Sequence, residues 1–300
     1  MLGPPGSIAV AGINSLVVGL LLIVVGYLLA RAVIRTTDDP INHLGLAFGM
    51  LCALAALLMC LHMATRGWFF SSAGAVRGAL LVIAAAAVIA SARRADARLT
   101  RHVLMITGAL AIAAVAIWCT PIFRLLPLTG TPDTQLHNGW INQLLNGHTT
   151  PGAVISGDVP NYYPWLFHAL GATATYITPG RDPYFALGTL QVVIVVGHVL
   201  ALFALGRAIW GRISAGVGAA VLAGLSGGVG FVMLRSLDLI TDPRADGGRA
   251  ALRYAGDLLL NRSYNIGFHG LAPPNPRDAA FALVMTTLLL VWLARARRGR

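Results

Sequence analysis

The chain has 300 residues, 57% of them hydrophobic and only 11% charged, with a formal net charge of +11. That is too apolar for a soluble domain and indicates a polytopic membrane protein. All 22 basic residues are Arg and all 11 acidic residues are Asp, a bias that fits a GC-rich coding sequence; it excludes a Lys nucleophile and leaves any carboxylate base to an Asp.

A membrane span needs about 20 apolar residues. In chain order the sequence predicts spans near 8–30, 41–64, 72–91, 103–121, 184–206, 213–234 and 279–294, giving an all-α protein of about seven transmembrane helices. Residues 1–121 carry four of them, 122–182 form a first long loop, 183–234 carry two more, 235–277 form a second long loop, and 278–300 hold the last helix and a basic tail. They read as a single structural domain. Met1 to Ser7 lack the basic region of a cleaved signal peptide, so the first span is expected to stay. Cys52, Cys60 and Cys119 all fall in apolar segments, and an odd set of buried thiols suggests neither a disulfide framework nor a metal site. Arg77, near one end of the third span, is expected to snorkel to the interface. Of the ionisable residues, only His62 and His198 fall well inside the spans.

Basic residues in short loops set the orientation. Arg31 and Arg35, the Arg93–Arg101 group, Arg207 with Arg212, and the Arg295–Arg300 tail all fall on one side, which carries +9 against +2 for the other. The first side is expected to be cytoplasmic, with the N-terminus outside the cell membrane and the C-terminus inside. The Arg groups then anchor topology and show no pattern suited to nucleic acid. Both long loops lie on the outer side, and loops of that length are usually functional.

The first loop holds the most polar and aromatic stretch, from Thr131 to His168. Leu136, Trp140 and Leu144 recur every fourth residue beside Ile141 and Leu145, predicting an amphipathic helix on the membrane surface, capped by Asp133 and stopped at Gly147. Asp133 is the first candidate for a general base, since a carboxylate beside apolar surface has its pKa raised toward the working range; the plainer role is an N-cap, and the two are compatible. His137 lies one turn later on the same face. It is a candidate ligand for a phosphate or a metal, against the plainer reading of a surface histidine. Tyr162, Tyr163 and Trp165 suit stacking on a sugar ring, or an ordinary interfacial aromatic belt. Residues 164–177 are expected to form a short helix re-entering the outer leaflet.

In the second loop, the run Asn261-Arg262-Ser263-Tyr264-Asn265-Ile266-Gly267-Phe268-His269 is rich in hydrogen-bonding and stacking groups. Arg262, with Arg124, Arg181 and Arg235 on the same side, is a candidate for holding a lipid-linked phosphate, and His269 is a candidate substrate-binding residue. Gly224, Gly227, Gly228 and Gly230 suggest a broken or closely packed sixth span.

The run Pro132-Asp133-Thr134-Gln135-Leu136-His137-Asn138-Gly139-Trp140-Ile141-Asn142-Gln143-Leu144, followed by Tyr162-Tyr163-Pro164-Trp165, resembles the first periplasmic loop of actinobacterial galactan arabinofuranosyltransferases, membrane glycosyltransferases of the GT-C superfamily. The similarity is clearest over about 100–212. Tyr163-Pro164 matches the Tyr-Pro of the family's segment, Trp165 stands where its second Pro would be, and Asp133-Thr134 replaces an Asp-Gln pair. The resemblance implies a GT-C-like fold with Asp133 as catalytic base. It implies a polyprenyl-phosphate sugar, arabinofuranose as first guess, as donor, a cell-wall glycan as acceptor, and the bilayer as the other partner. It identifies no cofactor and leaves a divalent metal open. GT-C enzymes usually carry more helices, so the chain reads either as the N-terminal part of a longer enzyme or as a short form. The competing class is a non-enzymatic transporter, flippase or wall-assembly scaffold, which the Gly-rich sixth span keeps open.

Overall fold

The computed structural model describes residues 5–92, 101–115, 132–150, 152, 165–178, 183–225 and 276–298, with the backbone alone at 5–11, 101–104, 132–135, 184, 223–225, 277 and 278. Among the described residues the chain is all-helical, without a strand. The helices are α1 (Pro5–Val33), α2 (Pro40–Ala64), the short α3 (Trp68–Ser71), α4 (Ala73–Ala92), α5 (Arg101–Ala114), α6 (Pro132–Leu145), α7 (Trp165–Ile177), α8 (Pro183–Trp210), α9 (Ile213–Leu225) and α10 (Pro276–Arg298).

Five of these, in α1, α2, α4, α8 and α10, are long and apolar enough to cross a membrane. α5 and α9 are apolar but shorter; the remainder of the predicted spans 103–121 and 213–234 lies outside the described residues. α8 is the central helix and is mostly buried, whereas α4 is largely open and lies at the periphery. Leu81, Val82, Ile112, Leu222, Leu57 and Val291 are exposed. Apolar side chains open on so many helices form the belt that lipid covers in a multi-pass protein.

Inside the bundle the helices approach closely. A Cβ at Gly26 would stand 2.4 Å from the Ala47 carbonyl oxygen, so only glycine lets α1 reach the α2 backbone. The core joins Leu22 and Ile23 of α1, Phe48 and Leu51 of α2, and Leu190, Ile194 and Phe203 of α8. The interior is more polar than two histidines: Asn42, His43, Thr189 and Gln191 are buried, as are His62 and His198. Cys52 is buried and Cys60 exposed, both as free thiols; Cys119 lies outside the described residues.

Side-chain bonds fix which helix termini meet. The Ser15 hydroxyl of α1 donates to the Phe185 carbonyl of α8 at 3.2 Å, pairing the first halves of those two helices. At the other end Arg207 of α8 meets Asp39, which precedes α2, and Arg297 of α10 donates to the Arg35 carbonyl, which follows α1, at 2.9 Å. α1, α8 and α10 therefore finish where α2 starts, at what we call the Arg207 end, and α2 finishes at the opposite, His62 end.

Candidate functional site

The His62 end carries α6, the helix that holds Asp133. It begins with Pro132, whose fixed φ and missing N–H suit a first helical position. Asp133 is thus the second helical residue, in the first turn, and not the residue before the helix that the capping expectation requires. At the far end Gly147 adopts φ +91°, and the helix stops where the sequence predicts.

The apolar face of the amphipathic helix α6 packs on the protein. Trp140, Ile141 and Leu144 are buried in the protein itself, Ile141 and Leu144 as members of the main core. α7 folds back to cover this face and is buried from Phe167 to Tyr176. The short helix expected over 164–177 therefore exists, with protein around most of its length.

His137 is likewise not a surface histidine, being only 3% exposed. Its Nδ1 stands 3.1 Å from Nε2 of His168 on α7, so one imidazole donates to the other. Trp140 and Phe167 pack against the His137 ring, with centroids at 5.6 and 5.3 Å. Trp165 crosses Trp140 edge to face at 6.2 Å and lies 5.6 Å from His168. The Trp140 indole N–H donates to the Gly152 carbonyl at 3.1 Å, tying the chain beyond α6 to the same cluster. Of the predicted site residues, the structure brings His137 and Trp165 into one cluster and adds Trp140 and His168. The signal for His168 was its place three residues after Trp165, on one face of a helix.

A second set of bonds fastens α6 to the bundle. His62 is fully buried at the end of α2. Its Nδ1 accepts from the Phe70 N–H at 3.1 Å, so Nε2 carries the proton and donates to the His148 carbonyl, also at 3.1 Å. Gly67 makes the turn between α2 and α3 at φ +90°, following Arg66 at φ +51°. A Cβ on Gly67 would fall 1.7 Å from the Gly147 carbonyl oxygen, so the two turns lie backbone on backbone. The Tyr176 hydroxyl donates to the Phe70 carbonyl. Arg77, exposed near the start of α4, donates through Nε to the Tyr176 carbonyl at 3.1 Å. α2, α3, α4, α6 and α7 are thus knitted together where α6 docks.

The side chain of Asp133 lies outside the described set, as do Arg124, Tyr162, Tyr163, Arg181, Arg235, Arg262, His269 and the glycines 227, 228 and 230. Whether Asp133 faces a groove open to lipid falls there too. No group of three or more His, Cys, Asp or Glu side chains with metal-binding geometry occurs among the described residues.

Fold and cluster together define a class: a multi-pass membrane protein, helical throughout its described residues, with a buried His and aromatic cluster at one end of its bundle. Beyond that class, no protein-family model, curated protein or solved structure matches the chain. Its function is therefore read from its own residues.

Proposed function

We propose that the protein is a membrane glycosyltransferase of GT-C type, with about seven spans, that transfers a sugar from a polyprenyl-phosphate donor to a cell-wall glycan at the outer face of the cell membrane. The observation that carries this reading is Asp133 in the first turn of α6, one turn before His137 and its aromatic cluster. A carboxylate on a helix whose middle and C-terminal end are fastened to the protein has its backbone held in place for proton transfer.

In this reading the Asp133 carboxylate takes the proton of an acceptor hydroxyl as that oxygen bonds to the anomeric carbon. The bond from that carbon to the lipid phosphate breaks in the same inverting step, and polyprenyl phosphate leaves. Arg181 and Arg262 stabilise the departing phosphate. Tyr162, Tyr163, Trp165 and His269 line the sugar's approach. His137, buried against His168, acts as a positioning residue that sets α6 relative to α7. Arabinofuranose is the first sugar to test.

The test is transfer of radiolabel from a panel of polyprenyl-phosphate sugars in membranes carrying the protein or its Asp133→Asn variant. One donor should label glycan, and the variant should lose on the order of 100- to 10,000-fold in rate while inserting normally. Equal labelling by both proteins removes Asp133 from the chemistry.

One observation favours a second reading, a lipid or solute transporter. Thr189 Oγ1 and Gln191 Oε1 on α8 are buried with no partner among the described residues, and polar atoms inside a bundle mark translocation paths. Substrate movement across proteoliposomes that is insensitive to Asp133→Asn, with no glycan labelled by any donor, would select it.

A further inference from the structure

The Arg207 end holds a cavity of about 610 Å³ where α1 ends, α2 begins, and α8 and α10 finish. Three of the four Arg groups that the sequence assigns to one side meet there, in Arg35, Arg207 and Arg297, and Thr36, Asp38 and Asn42 also line the cavity. Their commitments differ. Arg207 is paired with Asp39, which also accepts from the Ile41 N–H as the cap of α2. Arg297 uses one N–H on the Arg35 carbonyl. Neither Arg35 nor Arg297 has a carboxylate partner among the described residues. Asn42 is 6% exposed, and its Oδ1 has no donor there; the buried Thr36 hydroxyl likewise has no partner. Trp292 closes one side, its indole N–H held by the Ala208 carbonyl at 3.2 Å.

We propose that this cavity binds a phosphate ester that also carries hydroxyl groups, the chemistry of a phosphatidylglycerol or phosphatidylinositol headgroup. Two guanidinium forks with free N–H groups suit a phosphate. A bare phosphate would leave Asn42 Oδ1 without a donor and would face the Asp38 carboxylate. A headgroup with its phosphate on Arg35 and Arg297 and its hydroxyls toward Asp38 and Asn42 satisfies both signs of charge. The cavity lies where the apolar spans end, the level of lipid headgroups, with an aromatic side chain at its edge, and basic pockets between spans there take anionic lipid. The site is at the opposite end of the bundle from Asp133 and does not depend on the transferase reading.

The test uses the full chain, delipidated in a neutral detergent and titrated with dioleoyl phosphatidylglycerol, phosphatidylinositol or phosphatidylcholine, with bound lipid counted by native mass spectrometry. One glycerol or inositol lipid should bind at least tenfold more tightly than phosphatidylcholine. Arg35→Gln/Arg297→Gln should lose that preference, and Arg35→Gln alone, at an exposed side chain, should weaken it if the double variant does not fold. Arg212→Gln, at the same end but outside the cavity, should bind as wild type does. Competition by glycerol 1-phosphate at concentrations matching the lipid makes a soluble ester the ligand of the same site; its failure makes it the lipid. Equal binding of phosphatidylcholine, or an equal loss in Arg212→Gln, overturns the proposal.

Discussion

At the His62 end, α2, α3, α6 and α7 are joined by bonds between neutral groups, an imidazole, a phenol and two glycine turns set against backbone, with α4 tied in by the Arg77 guanidinium. At the Arg207 end, α1, α2, α8 and α10 are joined by charged side chains that remain partly open to water, with Arg207 27% and Asp39 30% exposed. The two kinds of join respond differently to damage. Removing one partner of a buried neutral pair strands the other without water, which costs about 1–3 kcal/mol for each group left. Ion pairs open to solvent exchange one hydration for another and contribute under about 1 kcal/mol. The first end therefore behaves as a rigid mount, the second as a latch around a cavity.

The largest effect should come from Gly67→Ala, which tests the mount directly. The new Cβ meets the Gly147 carbonyl oxygen at 1.7 Å, and both positions are backbone, so no side chain can swing aside. A φ of +90° is also strained for alanine. A cost above about 4 kcal/mol is expected, of the size reserved for such clashes. It would be seen as loss of a monodisperse peak after mild heating in detergent. A melting curve matching wild type would mean that the two turns are not in contact.

His62→Phe should rank second. It keeps a ring against Phe70, now 4.8 Å away, but strands the Phe70 N–H and the His148 carbonyl. The loss expected is about 1–3 kcal/mol, mostly from the buried Phe70 N–H, since water can reach the part-exposed His148 carbonyl. Reversible unfolding in mixed micelles would measure it. Because the same bonds fasten α6, a transferase assay on this variant should fall along with stability, whereas Asp133→Asn should lose activity alone.

How far the sequence foretold this difference depends on the range of the signal. Spans are written locally: 41–64 and 72–91 differ by a residue or so from Pro40–Ala64 and Ala73–Ala92. The existence of α6 was equally local, in the four-residue spacing of Leu136, Trp140 and Leu144 and in the stop at Gly147. What α6 packs against was not. His137 looks exposed in a loop between spans and is buried only because α7, about 30 residues on, folds back over it, an outcome no local period encodes. The bonds of His62 reach residues 8 and 86 positions away. The gathering of Arg35, Arg207 and Arg297 was half legible: alternation of spans puts them on one side, but only helix packing turns a side into a cavity.

Gly147→Ala sharpens the comparison within the mount. Its φ of +91° is as unfavourable for alanine as that of Gly67, but a Cβ there would find its nearest neighbour at 3.5 Å, an ordinary contact. Only the conformational penalty remains, about 1–2 kcal/mol. Asparagine, which tolerates this region better, should recover part of it. If the Gly67 and Gly147 variants melted together, strain at the turn would explain both, and the close approach of the two backbones would add nothing.

The smallest effects belong to the latch, and Asp39 allows its two functions to be separated. One carboxylate oxygen accepts from the Ile41 N–H at 3.0 Å as the cap of α2, and the other meets Arg207. Asp39→Asn keeps a capping oxygen and removes the charge, so it should cost under about 1 kcal/mol, the range of an exposed ion pair. Asp39→Ala removes both and should cost about 1 kcal/mol more, the usual worth of a cap. Arg207→Gln should match Asp39→Asn, and the double variant should cost no more than either alone, since the same pair is lost once. Raising the salt concentration should shrink the Asp39→Asn effect and leave the alanine increment standing, because screening acts on the ion pair and not on the cap. An Asp39→Asn loss as large as that of His62→Phe would instead show the pair to be desolvated when folded, and the Arg207 end would then be as rigid a mount as the other.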